Sequence, residues 1–198
     1  MTKRADGKFE RRERDFYATP PKPIIKLLPF LSDCSVFAEP MCGDGAIVRL
    51  LEARGWRCGA IFDIEPRGEM VGRAGVCDVF DLTEDFFSGC DHIISNPPWP
   101  AKHQKGDPTV SIVRHLMAMR PTWMLLSADF AHTDYARPLL RHCIEIVSVG
   151  RVSWMGNGQS GYDNAAWYLF DAERTGPPRF HGYDTPKPIF HPDIAKLL

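Results

Sequence analysis

Residues 34–53, CSVFAEPMCGDGAIVRLLEA, contain the pattern that decides the fold. The apolar run at 34–39 predicts a buried strand, and the spacing of apolar residues at 45–53 predicts a helix. Between them, Gly43 and Gly45 permit a tight turn and allow backbone amides to approach a ligand. A strand that is joined through such a turn to a helix is the repeating unit of an open parallel sheet.

The same alternation continues as far as residue 170. Short apolar runs predict six further strands, at residues 58–63, 75–80, 91–95, 123–127, 143–149 and 165–170. Helical stretches at 110–119 and 136–142 separate the middle runs, whereas a glycine-rich loop at 154–163 joins the last two directly. Strands joined by such a loop form a hairpin, so one of them is antiparallel to the rest. The predicted class is α/β: a seven-stranded, mostly parallel sheet with helices on both faces and one antiparallel strand from a C-terminal hairpin.

The length of 198 residues suits one domain with short extensions. We place the domain at 15–171, followed by a proline-rich tail at 172–198 that packs on the domain or is disordered. Residues 1–14 form a basic N-terminal arm with six basic and three acidic residues. This arm is either a solvated, frayed terminus or a segment that contacts phosphates.

The composition is that of a soluble globular protein. Hydrophobic residues make up 44% and charged residues 25% of the chain, which excludes global disorder. No apolar run reaches the roughly 18 residues of a membrane helix, and the polar N-terminus lacks the core of a signal peptide. We therefore expect a cytoplasmic protein without a metal site, whose six scattered cysteines are buried, reduced thiols. The net charge of −1 provides no overall basic field for nucleic acid.

Polar clusters follow each of the first four predicted strands, at the edge where open parallel sheets bind ligands. The first, at 39–45, matches neither the dinucleotide nor the nucleoside-triphosphate motif, and it suits either an ordinary turn or a ligand loop. Asp63 ends the second strand, where it accepts both hydroxyls of a ribose or is simply a helix N-cap or a surface acid. Asp78 lies at the end of the third strand, where it either accepts from an adenine amine, beside Phe80, or caps a turn.

The fourth cluster, Asn96-Pro97-Pro98-Trp99, is the most specific. Its two prolines fix the backbone and remove two amide donors. The Asn96 side-chain oxygen and the Pro97 carbonyl remain as acceptors, and together they can hold both hydrogens of one NH2 group. Trp99 adds a flat face on which a planar group can stack. The alternative, a rigid loop with a chance aromatic residue, is weaker because this loop repeats the strand-end position of the other clusters.

In this order, the motifs EPMCGDG, FDIEP, CDVF and ISNPPW resemble those of class I, Rossmann-like methyltransferases that use S-adenosyl-L-methionine and act on planar amino nitrogens. The chain looks most similar to adenine-N6 DNA methyltransferases of the small phage type. Residues 14–20 (RDFYATP) resemble the cofactor-clasping segment of that family, and residues 161–170 (GYDNAAWYLF) resemble the final strand of its phage-type members. Two features depart from the family: Trp99 replaces the commoner Tyr or Phe, and we expect no separate target-recognition domain.

The resemblance implies a Rossmann-like methyltransferase fold, S-adenosyl-L-methionine as cofactor and DNA as partner. In the implied catalytic motif, Asn96, Pro97, Pro98 and Trp99, the first two residues polarise the target amine and the tryptophan stacks on its ring. Glu39 would balance the ammonium or sulfonium charge of the cofactor. The residues implied to bind the cofactor are Tyr17, Thr19, Pro20, Glu39, Pro40, Met41, Gly43, Gly45, Asp63, Ile64, Asp78, Val79, Phe80 and Asn96.

The predicted substrate contacts are Trp99, Lys102, Lys105 and Trp154. The two lysines belong to a locally basic segment after the catalytic motif, which either contacts phosphates or is a solvated loop. Trp154 begins the glycine-rich loop and is either a second wall of the target pocket or a core residue.

The leading hypothesis is an enzyme that methylates the exocyclic N6 amine of adenine in DNA. The same loop is also able to hold an RNA base or a protein glutamine amide, although an amide lacks the aromatic face that would stack on Trp99. A non-catalytic cofactor-binding module is a remoter alternative, because every residue of the glycine loop and of the catalytic motif is present.

Overall fold

A single eight-stranded sheet organises residues 18–32, 34–99, 108–154 and 163–182, the parts of the chain that the computed structural model describes. In chain order, its strands are β1 (Val36–Glu39), β2 (Arg57–Asp63), β3 (Gly75–Val76), β4 (His92–Ser95), β5 (Thr122–Ser127), β6 (Cys143–Arg151), β7 (Asn164–Phe170) and β8 (Arg179–His181). Their spatial order is β3-β2-β1-β4-β5-β7-β6-β8, and among them β7 alone runs antiparallel to its neighbours. The predicted α/β class, a mostly parallel sheet with one antiparallel strand from a hairpin, is confirmed.

The described residues form one strand more than the seven predicted. β8 pairs in parallel with β6, with Phe180 opposite Ile146, and it lies in the segment predicted as a tail. Its sequence, RFH, has only three residues and closely follows Pro177 and Pro178. So short a run shows no alternation of apolar and polar residues from which a strand can be predicted.

β3 is shorter than predicted, with two residues instead of six. A 3-10 helix, Val79–Asp81, begins soon after it, because the Asp78 carboxylate accepts a hydrogen bond from the Phe80 amide at 2.9 Å. Such a contact between a short acidic side chain and the backbone competes with strand pairing. Asp78 and Phe80 therefore belong to a turn beyond the strand.

Helices cover both faces of the sheet. The described α-helices are α1 (Pro21–Leu27), α2 (Ala46–Glu52), α3 (Pro108–Met117) and α4 (Arg137–Leu140). Ile93 packs in the core that contains α3 and α4, whereas its neighbour Ile94 packs in the core that contains α1 and α2. The alternation of side chains along a strand thus divides the core into two layers. None of the described helices has the length and hydropathy needed to cross a membrane.

Short 3-10 helices occupy the connections between these elements. They are Leu28–Phe30, Gly68–Met70, Val79–Asp81, Glu84–Phe87, Ala128–His132 and Asp134–Ala136. Three of them follow a strand within a few residues, so the chain leaves the sheet in tight turns rather than in long loops.

The parallel strands bring four loops to one edge of the sheet. β1 pairs in parallel with β2 and β4, and β4 pairs in parallel with β5. These four strands end at Glu39, Asp63, Ser95 and Ser127. We call this side of the molecule the carboxyl edge; it is where sheets of this kind bind ligands.

Candidate functional site

The loop after β4 is held by side-chain hydrogen bonds to two distant parts of the chain. The Asn96 amide nitrogen donates to the Thr19 hydroxyl at 3.1 Å, and the Asn96 oxygen accepts from the Trp99 indole N–H at 3.1 Å. The same indole N–H lies 3.1 Å from the Leu125 carbonyl oxygen in β5. The segment before α1, the loop after β4 and strand β5 are thereby joined around one side-chain amide.

Trp99 forms an aromatic wall with Trp154. The two rings meet edge to face, with centroids 5.2 Å apart and planes inclined by 72°. Both rings are partly buried against the core on the α1–α2 face. The structure therefore brings the two predicted aromatic substrate contacts together. In the same loop, Pro97 is buried and Pro98 is exposed.

The glycine loop after β1 is fixed to the end of β2 by backbone groups. The Gly43 amide donates to Asp63 Oδ2 at 2.7 Å, and the Gly43 carbonyl accepts from the Arg67 amide at 2.9 Å. Gly45 has a φ of 78°, and a Cβ atom there would lie 2.7 Å from the buried Met70 side chain. Any other residue at position 45 would therefore be strained twice, by its backbone and by Met70. The first two predicted clusters form one connected structure.

Asp63 is engaged by two backbone amides. In addition to Gly43, the Glu65 amide donates to Asp63 Oδ1 at 2.7 Å. These bonds fix the carboxylate at the carboxyl edge, and each of its oxygens retains capacity to accept from a further donor. The Glu65 contact is a local turn; the next helical segment, Gly68–Met70, has Arg67 and not Asp63 at its N-cap. The carboxylate is left able to accept hydroxyl groups.

Glu39 is a buried carboxyl group at the end of β1. It is 2% exposed, and its Oε2 atom has no hydrogen-bond partner among the described residues. Burial raises the pKa of Glu39 well above its ordinary value of 4.5; the Val48 amide opposes this rise, Asp63 and Asp44 add to it, and Arg49 opposes it. Buried polar atoms without a partner are rare in folded proteins, so Glu39 is a candidate contact for a ligand at the carboxyl edge.

Two large apolar side chains are exposed just beyond β2 and β3. Ile64 is 59% exposed and Phe80 is 48% exposed. Val79, which was also predicted to contact the cofactor, is buried. Their two segments are adjacent, because the Cys77 amide donates to the Asp63 carbonyl at 3.1 Å. Exposed apolar side chains beside a polar turn are available to a flat, apolar part of a ligand.

The other predicted contacts fall into two groups. Pro20 immediately precedes α1, Pro40 is buried, and Met41 packs against the core on the α3–α4 face. Outside the described residues lie Tyr17, Lys102, Lys105, the arm at 1–14, residues 155–162 of the hairpin loop and the tail beyond residue 182.

Sequence reasoning did not foresee how Asn96 is held. The Leu125 carbonyl is a backbone group of a neighbouring strand, and no sequence pattern specifies such a contact. Thr19 lies 77 residues before Asn96 in the chain. The available signal was Trp99 itself, because a partly buried tryptophan carries an N–H group that needs an acceptor and that phenylalanine lacks.

Comparison with known proteins identifies the fold. No protein-family model matches the sequence, and no curated protein matches it significantly. Among solved structures, a protein of Pyrococcus horikoshii assigned as an RNA methyltransferase is similar with a TM-score of 0.54 and 15% identity, over 82% of this chain and 91% of that chain. The M protein of the type I restriction enzyme EcoKI is similar with a TM-score of 0.54 and 11% identity, over 87% of this chain.

The match to the M protein covers 51% of that chain, so this chain spans about half of its length. At such low identities the likeness shows the fold alone. The protein has the Rossmann-like fold of class I methyltransferases.

Proposed function

We propose that this protein is an S-adenosyl-L-methionine-dependent N-methyltransferase whose preferred acceptor is the N6 amine of adenine in DNA. The proposal depends on the orientation of the Asn96 amide, in which the position of the oxygen is fixed by the Trp99 indole N–H that donates to it. Two prolines follow Asn96 directly and contribute no N–H donors. A rigid loop of acceptors at the carboxyl edge of this fold suits the binding of an amino group.

The β1–β2 side of the carboxyl edge fits the cofactor. Glu39 offers a buried carboxyl oxygen without a partner, as a positively charged group would require. Gly43 keeps the loop free of a side chain, Asp63 offers a carboxylate to hydroxyl groups, and Ile64 and Phe80 offer apolar surface to an adenine ring. When bound, S-adenosyl-L-methionine supplies a sulfonium methyl carbon that an amine lone pair attacks, with the sulfur leaving as a neutral thioether.

The loop after β4 makes a weak nucleophile more reactive. The lone pair of an aromatic amine is delocalised into its ring. In the proposed complex, the Asn96 oxygen and the Pro97 carbonyl accept the two N–H groups, which favours a pyramidal nitrogen with its lone pair directed away from both acceptors. These bonds strengthen as positive charge develops on the nitrogen, so they lower the barrier more than they strengthen binding. The proton that the methylated nitrogen then loses passes to water.

The aromatic wall favours a nucleobase as acceptor. Trp99 and Trp154 lie side by side next to Asn96. Stacking on an aromatic side chain contributes about 1–3 kcal/mol per base, which offsets part of the cost of about a few kcal/mol for flipping a base out of a duplex. A glutamine amide gains no such stacking. Lys102, Lys105 and the arm at 1–14 are proposed as phosphate contacts of the DNA.

The test is the transfer of tritiated methyl groups to three acceptors in parallel: DNA that lacks N6-methyladenine, total RNA and release-factor protein. We expect label in DNA that co-migrates with N6-methyldeoxyadenosine after digestion. Asn96→Ala serves as the inactive variant, and Asn164→Ala makes the same truncation at an exposed position of β7 as a matched control. Label confined to RNA or protein would mean that the acceptor is that molecule and not DNA. The absence of label from all three would contradict the assignment as an enzyme.

A further inference from the structure

The indole N–H of Trp99 lies at the same distance from two acceptors. It is 3.1 Å from Asn96 Oδ1 and 3.1 Å from the Leu125 carbonyl oxygen, so the hydrogen is shared between them. An indole N–H donates only, and it is favourable only next to an oxygen or another acceptor. Trp99 therefore distinguishes the oxygen of the Asn96 amide from its nitrogen.

The other partner of Asn96 cannot make this distinction. The Thr19 hydroxyl, 3.1 Å from Asn96 Nδ2, is able to accept from the amide nitrogen or to donate to the amide oxygen. The terminal torsion of an asparagine has a broad, roughly two-fold preference, so the amide is able to turn over unless a neighbour selects one orientation. With the amide reversed, its NH2 group would meet the NH2 group of the target, and two donors would face each other.

We propose that Trp99 is a positioning residue whose indole N–H holds the Asn96 oxygen in the orientation that accepts the target amine. The inference rests on the proposed function and assigns the indole N–H a role distinct from stacking. Because the N–H is shared, it keeps the Leu125 carbonyl as a partner when the amine takes over the Asn96 oxygen. The aromatic wall supports this role, since the edge-to-face contact with Trp154 at 5.2 Å restrains the indole ring.

The replacement Trp99→Phe separates the two roles, because it removes the N–H group and keeps a flat face for stacking. We expect the single-turnover rate of methyl transfer to unmethylated DNA to fall about tenfold, with KM for DNA changed by no more than about twofold. Trp56→Phe is the matched control: it removes an indole N–H group that donates to the Leu31 carbonyl at 3.4 Å, just before β2 and at the opposite end of this strand from the carboxyl edge, and its rate should stay near that of the wild type.

A double-mutant cycle tests whether the N–H group acts through Asn96. In the Asn96→Ala background, Trp99→Phe should cause no further fall in rate, since the amide that it orients is gone. The side-chain N–H resonance of Trp99, assigned in 15N-labelled protein by its loss in Trp99→Phe, should also shift in Asn96→Ala. This measurement does not depend on activity, and it serves even where the double variant is too slow to assay.

A Trp99→Phe variant with the rate of the wild type, or with a raised KM and an unchanged rate, would overturn the positioning role. The role would also be overturned if Trp99→Phe lowered the rate equally in the wild-type and Asn96→Ala backgrounds, or if the Trp99 indole resonance did not shift in Asn96→Ala. The proposed function fails by a different result, namely an Asn96→Ala protein that methylates DNA at the rate of the wild type.

Discussion

The two halves of the carboxyl edge are held in place by different kinds of hydrogen bond. On the β1–β2 side, the backbone amides of Gly43 and Glu65 donate to one carboxylate, Asp63. On the β4–β5 side, the side chains of Thr19 and Trp99 hold the Asn96 amide. Bonds to the backbone couple a site to the stability of its fold, whereas bonds between side chains are removed without moving the main chain. The first half should therefore respond to mutation in stability and cofactor affinity, and the second in the rate of the reaction.

The largest expected effect lies in the β4–β5 half. Asn96→Ala removes one acceptor of the target amine, and we expect methyl transfer to DNA to fall by about 10² or more, as for the loss of one preorganised polar group in a transition state. The family resemblance also places Asn96 among the cofactor contacts, but its side-chain amide bonds to Thr19 and Trp99. Affinity for S-adenosyl-L-methionine, measured by calorimetry, should therefore stay close to that of the wild type. A parallel loss of cofactor affinity would mean that the two halves are not separable and that Asn96 belongs to the cofactor site.

Asp63→Ala, a substitution in the β1–β2 half, should lower both the stability of the protein and its affinity for the cofactor. It leaves the Gly43 amide without its 2.7 Å acceptor, and losing a hydrogen bond to a charged group costs about 1.5–3 kcal/mol. Each 1 kcal/mol corresponds to about 2–4 °C in the Tm of a domain of this size, so a fall of several degrees is expected. Cofactor affinity should fall about tenfold or more, because the substitution also removes the carboxylate that accepts the ribose hydroxyls in the proposed site.

Asp171→Ala is the matched control for this variant. Asp171 also accepts from the backbone amide two residues later, that of Glu173, at 2.9 Å. Asp171 directly follows β7. Because β7 is antiparallel to β5, this end of the strand lies on the side of the sheet opposite the carboxyl edge. Its loss should lower the Tm slightly and leave cofactor affinity unchanged. An Asp63→Ala protein that binds the cofactor as the wild type does would show that Asp63 is only a structural residue.

Glu39 provides a pH-dependent test of the β1–β2 half of the carboxyl edge. Burial raises its pKa in the folded protein above 4.5, so the folded state keeps this proton to higher pH than the unfolded state. The stability due to this group is present below pH 4.5 and is lost as pH rises through the folded pKa. Glu39→Gln should therefore raise the Tm relative to the wild type, and by more at higher pH.

The same substitution should weaken cofactor binding several-fold, with a pH dependence of its own. A positively charged ligand favours the ionised carboxyl group, so the affinity of the wild type should increase with pH and that of Glu39→Gln should not. Calorimetry across the pH range tests this, with Glu52→Gln, a change on the surface of α2 where Glu52 pairs with Arg73, as the control. If the cofactor affinities of Glu39→Gln and Glu52→Gln showed the same pH dependence, Glu39 would not belong to the cofactor site.

The sequence predicted the strand ends well because two signals coincide there. An apolar run gives way to acidic or small polar residues at Glu39, Asp63 and Ser95, and each of these is the last residue of its strand in the structure. The hairpin of β6 and β7 was equally clear, since a glycine-rich loop and no helix lies between two apolar runs. These features are local, and local patterns survive in a sequence.

The features that the sequence did not predict depend on contacts between distant residues. β8 is a strand because β6 offers an edge to pair with, as Phe180 and Ile146 show. The turn at Asp78 forms because a side chain captured the Phe80 amide, a competition that apolar periodicity does not record. The orientation of Asn96 depends on a carbonyl in β5, which lies in a neighbouring strand and has no residue type to mark it.

The smallest expected effect comes from Thr19, and it separates two roles for this residue. Thr19→Val keeps the shape of the side chain and removes the hydroxyl group that accepts from Asn96 Nδ2 at 3.1 Å. Because Trp99 still selects the orientation of the amide, we expect methyl transfer to fall only about two- to fivefold, the scale of one neutral hydrogen bond. Cofactor affinity should not change if Thr19 acts on Asn96, whereas it should fall if Thr19 contacts the cofactor, as the family resemblance implies. Thr19→Ser retains a hydroxyl and should restore the rate, and a serine variant as slow as the valine variant would show that packing of the methyl group, not the hydrogen bond, is what Thr19 contributes.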